Sequence, residues 1–160
     1  MAVNFGILFQ LPWQCIKFGL MVTPFVFIYP TTKRYFAYPQ LVLGSVFNSG
    51  VCIGYCALAE TVAWNVCLPF YLGGVLWTIF YDSVYAFQDR TDDKKLGLKS
   101  TAIAMEHAPK ETLFTLAAAS TALFALGGFN AGLTLPFYLG LIGVGSHYTW
   151  QLRKLNIEDR

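Results

Sequence analysis

The sequence of 160 residues has little charge. Only 12% of its residues are charged, about half of the roughly 25% that soluble domains carry. Three stretches, 35–59, 61–81 and 112–152, contain no Asp, Glu, Lys or Arg. A helix of about 20 apolar residues crosses the hydrocarbon core of a bilayer, so the first two stretches are each long enough for one span and the third for two. These runs argue strongly against an ordinary soluble domain.

Motifs of metal and redox proteins are also absent. The sequence has no Cys-x-x-Cys, and no Cys lies near a His at the spacing of metal ligands. Its four cysteines fall in apolar stretches, where small buried packing residues are the expected interpretation. The N-terminus has neither the basic region nor the cleavage site of a signal peptide. We expect no nucleic-acid partner.

The apolar stretches predict an all-α membrane protein with about five transmembrane helices. Tyr29-Pro30 is expected to end the first helix, because a residue before proline is pushed away from helical geometry. Pro39 is well placed at the N1 position of the second helix. The predicted spans lie near 13–30, 39–59, 62–87, 111–130 and 133–153.

The positive charges support this topology. With five crossings, ten of the eleven Lys and Arg residues fall on one face of the membrane, and only Lys17 lies toward the other. Positive loops mark the cytoplasmic side, or the matrix side by analogy in mitochondria. The ten cationic residues are Lys33, Arg34, Arg90, Lys94, Lys95, Lys99, Lys110, Arg153, Lys154 and Arg160.

Two features inside the spans bear on binding. Asn48 lies in the middle of the second span, where a polar amide facing lipid is expensive. An interhelical hydrogen bond and a ligand contact are equally good interpretations. Small residues around it let helices approach closely.

The third span carries many aromatics, which in helices more often pack or anchor than bind substrate, but Tyr81 and Tyr85 lie at the end nearest the charges.

The charge is concentrated in residues 81–101, YDSVYAFQDRTDDKKLGLKST. Asp82, Tyr85, Asp89 and Asp93 recur at helical spacing, which predicts one stripe on one helix. Carboxylates one turn apart can reach a common Mg²⁺, an ion that uses one or two carboxylates together with water and phosphate oxygens. The neighbouring Lys and Arg residues then suit an anion such as diphosphate. A solvated, salt-bridged loop explains the spacing equally well.

The position of the stretch at a membrane face favours a lipid-tailed diphosphate over a water-soluble one. Loss of diphosphate from an allylic carbon leaves a carbocation. A metal and cationic residues can stabilise the leaving group, while aromatic walls shield the cation. This is the chemistry of prenyl transfer. A cation transporter is less expected, because its acidic residues should lie near the bilayer midplane.

Three segments resemble the UbiA-type intramembrane prenyltransferases, in the branch that prenylates 4-hydroxybenzoate in ubiquinone biosynthesis. The stretch 81–101 is similar to the second aspartate-rich motif of that family, with its DxxxD and Gly-x-Lys-Ser-Thr. YPTTKRYFAYPQLVLGSVFNSG (29–50) is similar to a YPxxKR…PQxxLGxxFxxG segment. SHYTWQLRKLNIEDR (146–160) resembles the polar end of the penultimate helix of the family.

The resemblance implies a helical bundle around a cavity that opens laterally to lipid, with loops 31–38 and 88–110 forming one cap. It implies Mg²⁺ as cofactor, polyprenyl diphosphate and 4-hydroxybenzoate as substrates, and partners in a biosynthetic complex. The location would be the mitochondrial inner membrane with the active face toward the matrix, or the cytoplasmic face of a bacterial inner membrane. The metal ligands would be Asp89, Asp93 and Asp92, with Asp82 beside them among the catalytic residues. The substrate-binding candidates are Lys33, Arg34, Arg90, Lys99, Tyr81, Tyr85 and Asn48.

One departure from the family is as informative as the match. Family members carry a first motif of the NDxxDxxxD type, and no Asn of this sequence is followed by aspartates at that spacing. We therefore expect residues 1–160 to form a single, partial UbiA-type domain that lacks the first helices and the last helix. The alternative is a non-catalytic membrane protein that binds a lipid diphosphate or a partner.

Overall fold

The computed structural model describes Gly6, residues 9–36 and residues 38–155, apart from the side chain of Lys33. The described residues contain helices and no strand. Five of the helices are 20 to 23 residues long and two are short. Their bounds are α1 Trp13–Tyr35, α2 Pro39–Ala59, α3 Trp64–Ala86, α4 Arg90–Lys95, α5 Thr101–Ala104, α6 Pro109–Asn130 and α7 Leu135–Lys154.

Helix α1 passes through Pro30, so the prediction that it ends there is wrong. It ends only at Tyr35. The hydroxyl of Thr31 donates to the carbonyl of Ile28 at 2.7 Å, and that of Thr32 donates to Tyr29 at 2.6 Å. These hydroxyls add hydrogen bonds to the last turn of the helix, but neither reaches the carbonyl of Val26, the one to which the missing N–H of Pro30 would have donated. The prediction for Pro39 is confirmed, since it opens α2.

The long helices pack in a row, with α3 at its centre. Helix α3 packs most extensively against α6 and α2, while α1 lies on α2 and α7 lies on α6. Small residues allow the close approaches: a Cβ placed on Gly44 would lie 3.1 Å from the Cβ of Thr78 in α3. A Cβ placed on Gly50 or Gly54 would have no neighbouring atom within 4 Å. Only part of the small-residue face of α2 is therefore used in this packing.

A buried cluster joins α3, α6 and α7 near their charged ends. Phe80 and Tyr148 stack at 5.0 Å between ring centroids, and Leu113 is fully buried beside them. The four cysteines are also buried and unbonded to one another by disulfides, which agrees with their interpretation as packing residues. This packing fixes the ends of α3 and α7 next to each other.

The helix surfaces suit lipid. Three segments, Trp13–Thr32, Pro39–Ala59 and Pro109–Asn130, are long and apolar enough to cross a membrane. Helices α3 and α7 have similar lengths, 23 and 20 residues, but are not among these segments. Large hydrophobic side chains point outward in many places, such as Phe27, which is 77% exposed, and Leu58, which is 91% exposed. The chain is an all-α membrane protein.

Candidate functional site

The acidic stretch does not lie on one continuous helix, as its spacing predicted. Helix α3 ends at Ala86, residues 87–89 turn, and Asp89 occupies the N-cap position of α4 without a capping hydrogen bond from its side chain. Gly97 adopts a left-handed φ of 67°, and the hydroxyl of Ser83 donates to that of Thr101 at 2.7 Å. These features fold the chain back onto α3, which a straight helix could not do. The stripe from Asp82 to Asp93 is therefore broken.

Asp89 and Asp93 nevertheless keep their helical relation. The amide of Asp93 donates to the carbonyl of Asp89 at 2.9 Å, so the two residues are one turn apart. Asp89 is exposed, whereas Asp93 is only 6% exposed. Within the described part of the chain, neither carboxylate has a hydrogen-bond or ion-pair partner. A buried carboxylate without a partner is costly, which makes this pair a fitting place for a cation.

Four of the adjacent charged residues form two ion pairs. Lys94 contacts Glu106 at 2.6 Å, and Lys95 contacts Asp92 at 3.0 Å. The hydrogen bond from Lys94 lowers the pKa of Glu106 below its ordinary value. Asp92 is exposed and ion-paired, so its proposed role as a metal ligand stays a prediction. Part of the charge is thus a solvated salt-bridged surface, the alternative that the spacing had left open.

One contact joins the two loops that were expected to form a cap. The ammonium group of Lys99 donates to the carbonyl of Tyr35 at 3.1 Å, across 64 residues of sequence. Arg34 is exposed and Arg90 is half-buried at the same end of the bundle. The side chain of Lys33 lies outside the described residues. Loops 31–38 and 88–110 therefore meet, while the contacts of their cations with diphosphate stay predictions.

Asn48 makes the interhelical hydrogen bond that was one of its two interpretations. Its Nδ2 donates to the carbonyl of Gly44 at 2.8 Å and to the hydroxyl of Thr78 in α3 at 3.1 Å. The Asn48 side chain also fills the space where a Cβ on Gly74 would lie. Its position is explained by helix packing, and a ligand contact stays a prediction.

Tyr81 and Tyr85 line a pocket of about 320 Å³ between α3 and α7. The Tyr81 ring lies 5.0 Å from that of Trp77, and the opposite wall carries Trp150 and Lys154. Sequence reasoning placed the two tyrosines near the site but missed the residues from α7. The sequence did indicate this wall, because Lys154 follows Trp150 by four residues and this spacing places both side chains on one helix face.

His147 and Gln151 share a helix face, as their spacing predicts. No hydrogen bond joins the two side chains, both of which belong to the described residues. His147 instead stacks on Trp150, with 5.5 Å between ring centroids and 24° between planes. This spacing allows either a hydrogen-bonded pair or a contact with an acceptor, and the hydrogen-bonded pair is therefore wrong. His107 is exposed.

The acidic residues fit a metal ion held jointly by protein and substrate. Among the described residues, no three His, Cys, Asp or Glu side chains converge as ligands. Mg²⁺ rarely uses an all-protein cage, and it commonly binds one or two carboxylates with substrate phosphates completing the shell. Asp89 and Asp93 would hold such an ion. The ion would supply charge stabilisation for a departing phosphate group.

Comparison with known proteins identifies the family of the chain. The model of the UbiA prenyltransferase family matches residues 1–160. The chain belongs to the UbiA prenyltransferase family. It is 42% identical over 159 residues to "4-hydroxybenzoate polyprenyltransferase, mitochondrial" of Drosophila pseudoobscura pseudoobscura, and 39% identical over 157 residues to the human protein of that name. The bovine protein of that name is 38% identical over 157 residues.

These alignments cover nearly all of the chain but less than half of each relative. They include 99% of this chain and 40% of the D. pseudoobscura protein, and 98% of this chain and 42% of the human and bovine proteins. No solved structure matches the chain. The likeness therefore concerns one part of these UbiA-family proteins.

Proposed function

We propose that the chain supplies the second aspartate motif of a Mg²⁺-dependent prenyltransferase that attaches a polyprenyl group to the ring of 4-hydroxybenzoate in ubiquinone biosynthesis. The observation that carries the proposal is the buried Asp93 carboxylate, one helical turn from Asp89 and without a described partner, at the charged end of a membrane bundle. The names of the relatives supply the acceptor and the pathway.

The chemistry follows from the residues at this end. Asp89 and Asp93 would hold Mg²⁺ against the diphosphate, and Lys99, Arg34 and Arg90, which lie on the same side of the bundle, would offset its charge. The bond between the allylic carbon and the diphosphate oxygen breaks, and its electron pair leaves with diphosphate. The aromatic carbon next to the acceptor hydroxyl then forms the new C–C bond and loses its proton to solvent. Stabilising the leaving group lowers the barrier to the first step.

The proposed setting is the mitochondrial inner membrane, with the charged end toward the matrix. Apart from Lys17, the Lys and Arg residues of the described ranges lie at this end, in keeping with the positive-inside rule, and the relatives' names include the word mitochondrial. Polyprenyl diphosphate would reach the site with its tail in the bilayer. Catalysis also needs a first aspartate motif, which residues 1–160 do not contain.

A chimaera tests this proposal. The matching 159 residues of the Drosophila melanogaster relative, which is 41% identical, are replaced by this chain, and prenylation of 4-hydroxybenzoate is measured with and without Mg²⁺. We expect Mg²⁺-dependent product from the chimaera and none from this chain alone. A correctly inserted, folded chimaera without product would contradict the proposal and would favour a non-catalytic membrane protein that binds lipid diphosphate.

A further inference from the structure

A groove of about 590 Å³ lies between α6 and α7 at the charged end of the bundle. Lys110 of α6 and Arg153 of α7 line it, and both residues are exposed. Neither side chain has an ion-pair partner in the described part of the chain. Glu111 is the one carboxylate among the described residues that line the groove. The lining therefore carries two positive charges and one negative charge, which favours an anionic ligand.

The hydroxyl groups of this groove already bond to their own helices. Thr115 donates to the carbonyl of Glu111 at 2.9 Å, and Thr149 donates to the carbonyl of Gly145 at 3.0 Å. The two cations are thus the side-chain donors that the described lining residues offer to a ligand. Lys binds phosphate as a point charge and Arg binds it with a planar fork of N–H groups. A phosphate group is the anion that this pair complements.

An apolar groove continues from the charged one along the same two helices. It has a volume of about 340 Å³ and shares Phe114 and Thr149 with the charged groove. Alanines form most of its α6 wall and Gly145 lies on its α7 wall, so small side chains leave the space open. From Phe114 to Ala125 helix α6 rises about 16 Å, close to half of the roughly 30 Å of a hydrocarbon core. This length suits one acyl chain within one leaflet.

The two grooves lie at the depths that a phospholipid requires. Helix α6 is long and apolar enough to cross a membrane. Lys110 lies in its first turn and Arg153 lies in the last turn of α7, so both cations lie at the interface when the helices span the bilayer. Basic pockets between transmembrane helices on the matrix or cytoplasmic side bind anionic headgroups. A water-soluble phosphate would gain nothing from the apolar groove.

The geometry points to these two grooves as one binding site for an anionic phospholipid, with its phosphate on Lys110 and Arg153 and one acyl chain along the alanines of α6. This inference does not depend on the proposed prenyl transfer. Among the described residues, the charged groove shares only Leu152 with the pocket that Tyr81 and Tyr85 line. The bound lipid is therefore a structural partner of α6 and α7, and it is distinct from the prenyl substrate.

Native mass spectrometry in detergent tests the inference. The chain is titrated with phosphatidylglycerol or with phosphatidylcholine of the same acyl chains, and the Kd of each is measured. The unaltered chain should bind phosphatidylglycerol at least about fivefold more tightly. Lys110→Met and Arg153→Met should each raise its Kd about fivefold, because each removes one cation beside the phosphate. The double variant should lose the preference, and Arg153→Lys should retain most of it.

The matched control is Lys154→Met. Lys154 is the adjacent cation of α7, but it lines the pocket on the α3 side, so this variant should bind phosphatidylglycerol like the unaltered chain. Two further variants separate the parts of the site. Glu111→Gln should tighten phosphatidylglycerol binding, because it removes a carboxylate that repels the phosphate. Ala122→Phe should weaken both lipids and leave the preference unchanged, because Ala122 lines the apolar groove.

Competition identifies the source of the phosphate. Inorganic phosphate and farnesyl diphosphate, each at the concentration of the lipid, should leave phosphatidylglycerol bound. Displacement by inorganic phosphate would show a site for a free anion, and displacement by farnesyl diphosphate would show a site for the prenyl substrate; either result would overturn the inference. Equal affinity for the two lipids, equal effects of Lys154→Met and Arg153→Met, or a dimer that excludes the lipid from the groove would overturn it as well.

Discussion

Replacing Asp93 by Asn should stabilise the metal-free protein and remove its response to Mg²⁺. Asp93 is 6% exposed, and its carboxylate has no partner among the described side chains but keeps some contact with solvent. A largely buried polar group without a partner costs about 1–3 kcal/mol. Asn has nearly the same shape and no charge. We therefore expect the free energy of unfolding to rise by about 1–2 kcal/mol in EDTA.

The response of Tm to Mg²⁺ should be large in the unaltered chain and small in Asp93→Asn. A ligand at ten times its Kd stabilises the folded state by about 1.4 kcal/mol, which for a chain of this size corresponds to a rise in Tm of about 4 °C. The unaltered chain should show this rise when Mg²⁺ and pyrophosphate are added together. Asp93→Asn should show little of it, because it loses a metal ligand.

Thermal unfolding in detergent, followed by far-UV circular dichroism, measures both effects. Glu106→Gln is the control, since Glu106 is exposed and paired with Lys94, and this variant should respond to Mg²⁺ like the unaltered chain. The reasoning is refuted if Asp93→Asn is less stable than the unaltered chain in EDTA. A full Mg²⁺ response in that variant would refute the assignment of Asp93 as a ligand.

Two further predictions concern helix packing and pH. Gly74→Ala should destabilise the protein by about 1–3 kcal/mol, since the new methyl group would collide with the Asn48 side chain. Gly50→Ala, with open space around it, should be neutral or slightly stabilising in the same unfolding assay; equal losses would contradict the packing argument. The pKa of Glu106 is lowered in the folded chain by its hydrogen bond from Lys94. This pair should therefore stabilise the fold above the unfolded pKa of Glu106, and the contribution should be lost as the pH falls through the folded pKa. Between about pH 6 and about pH 3.5, the Tm should therefore fall less in Lys94→Met than in the unaltered chain. Equal decreases in Tm would contradict this prediction.

The charge pattern allowed most of the architecture to be predicted. Uncharged runs of spanning length fix the number of long helices, and cations collected at alternate helix ends fix which ends lie together. The continuation of α1 through Pro30 was not predictable from local rules, because those rules place a helix end before a proline whereas transmembrane helices tolerate proline within them.

The site was predictable where it is local and not where it depends on distant contacts. The relation between Asp89 and Asp93 follows from their spacing, and the structure keeps it. The break after Ala86 could not be anticipated, since the 3.6-residue period continues through it and its cause includes a hydrogen bond from Ser83 to a residue 18 positions away. The Lys99–Tyr35 contact spans 64 residues, and no sequence period encodes such a contact.

The most direct measurement of the central claim is the rate of 4-hydroxybenzoate prenylation by the chimaera when Asp89 is changed to Ala. Asp89 is exposed and not engaged in capping α4, so its loss should leave the fold and the Tm nearly unchanged. If Asp89 binds Mg²⁺ against the diphosphate, kcat should fall by at least about 100-fold, as expected when stabilisation of the leaving group is lost. Turnover within about threefold of the unaltered chimaera at saturating substrate would correspond to less than about 1 kcal/mol, and it would contradict the account.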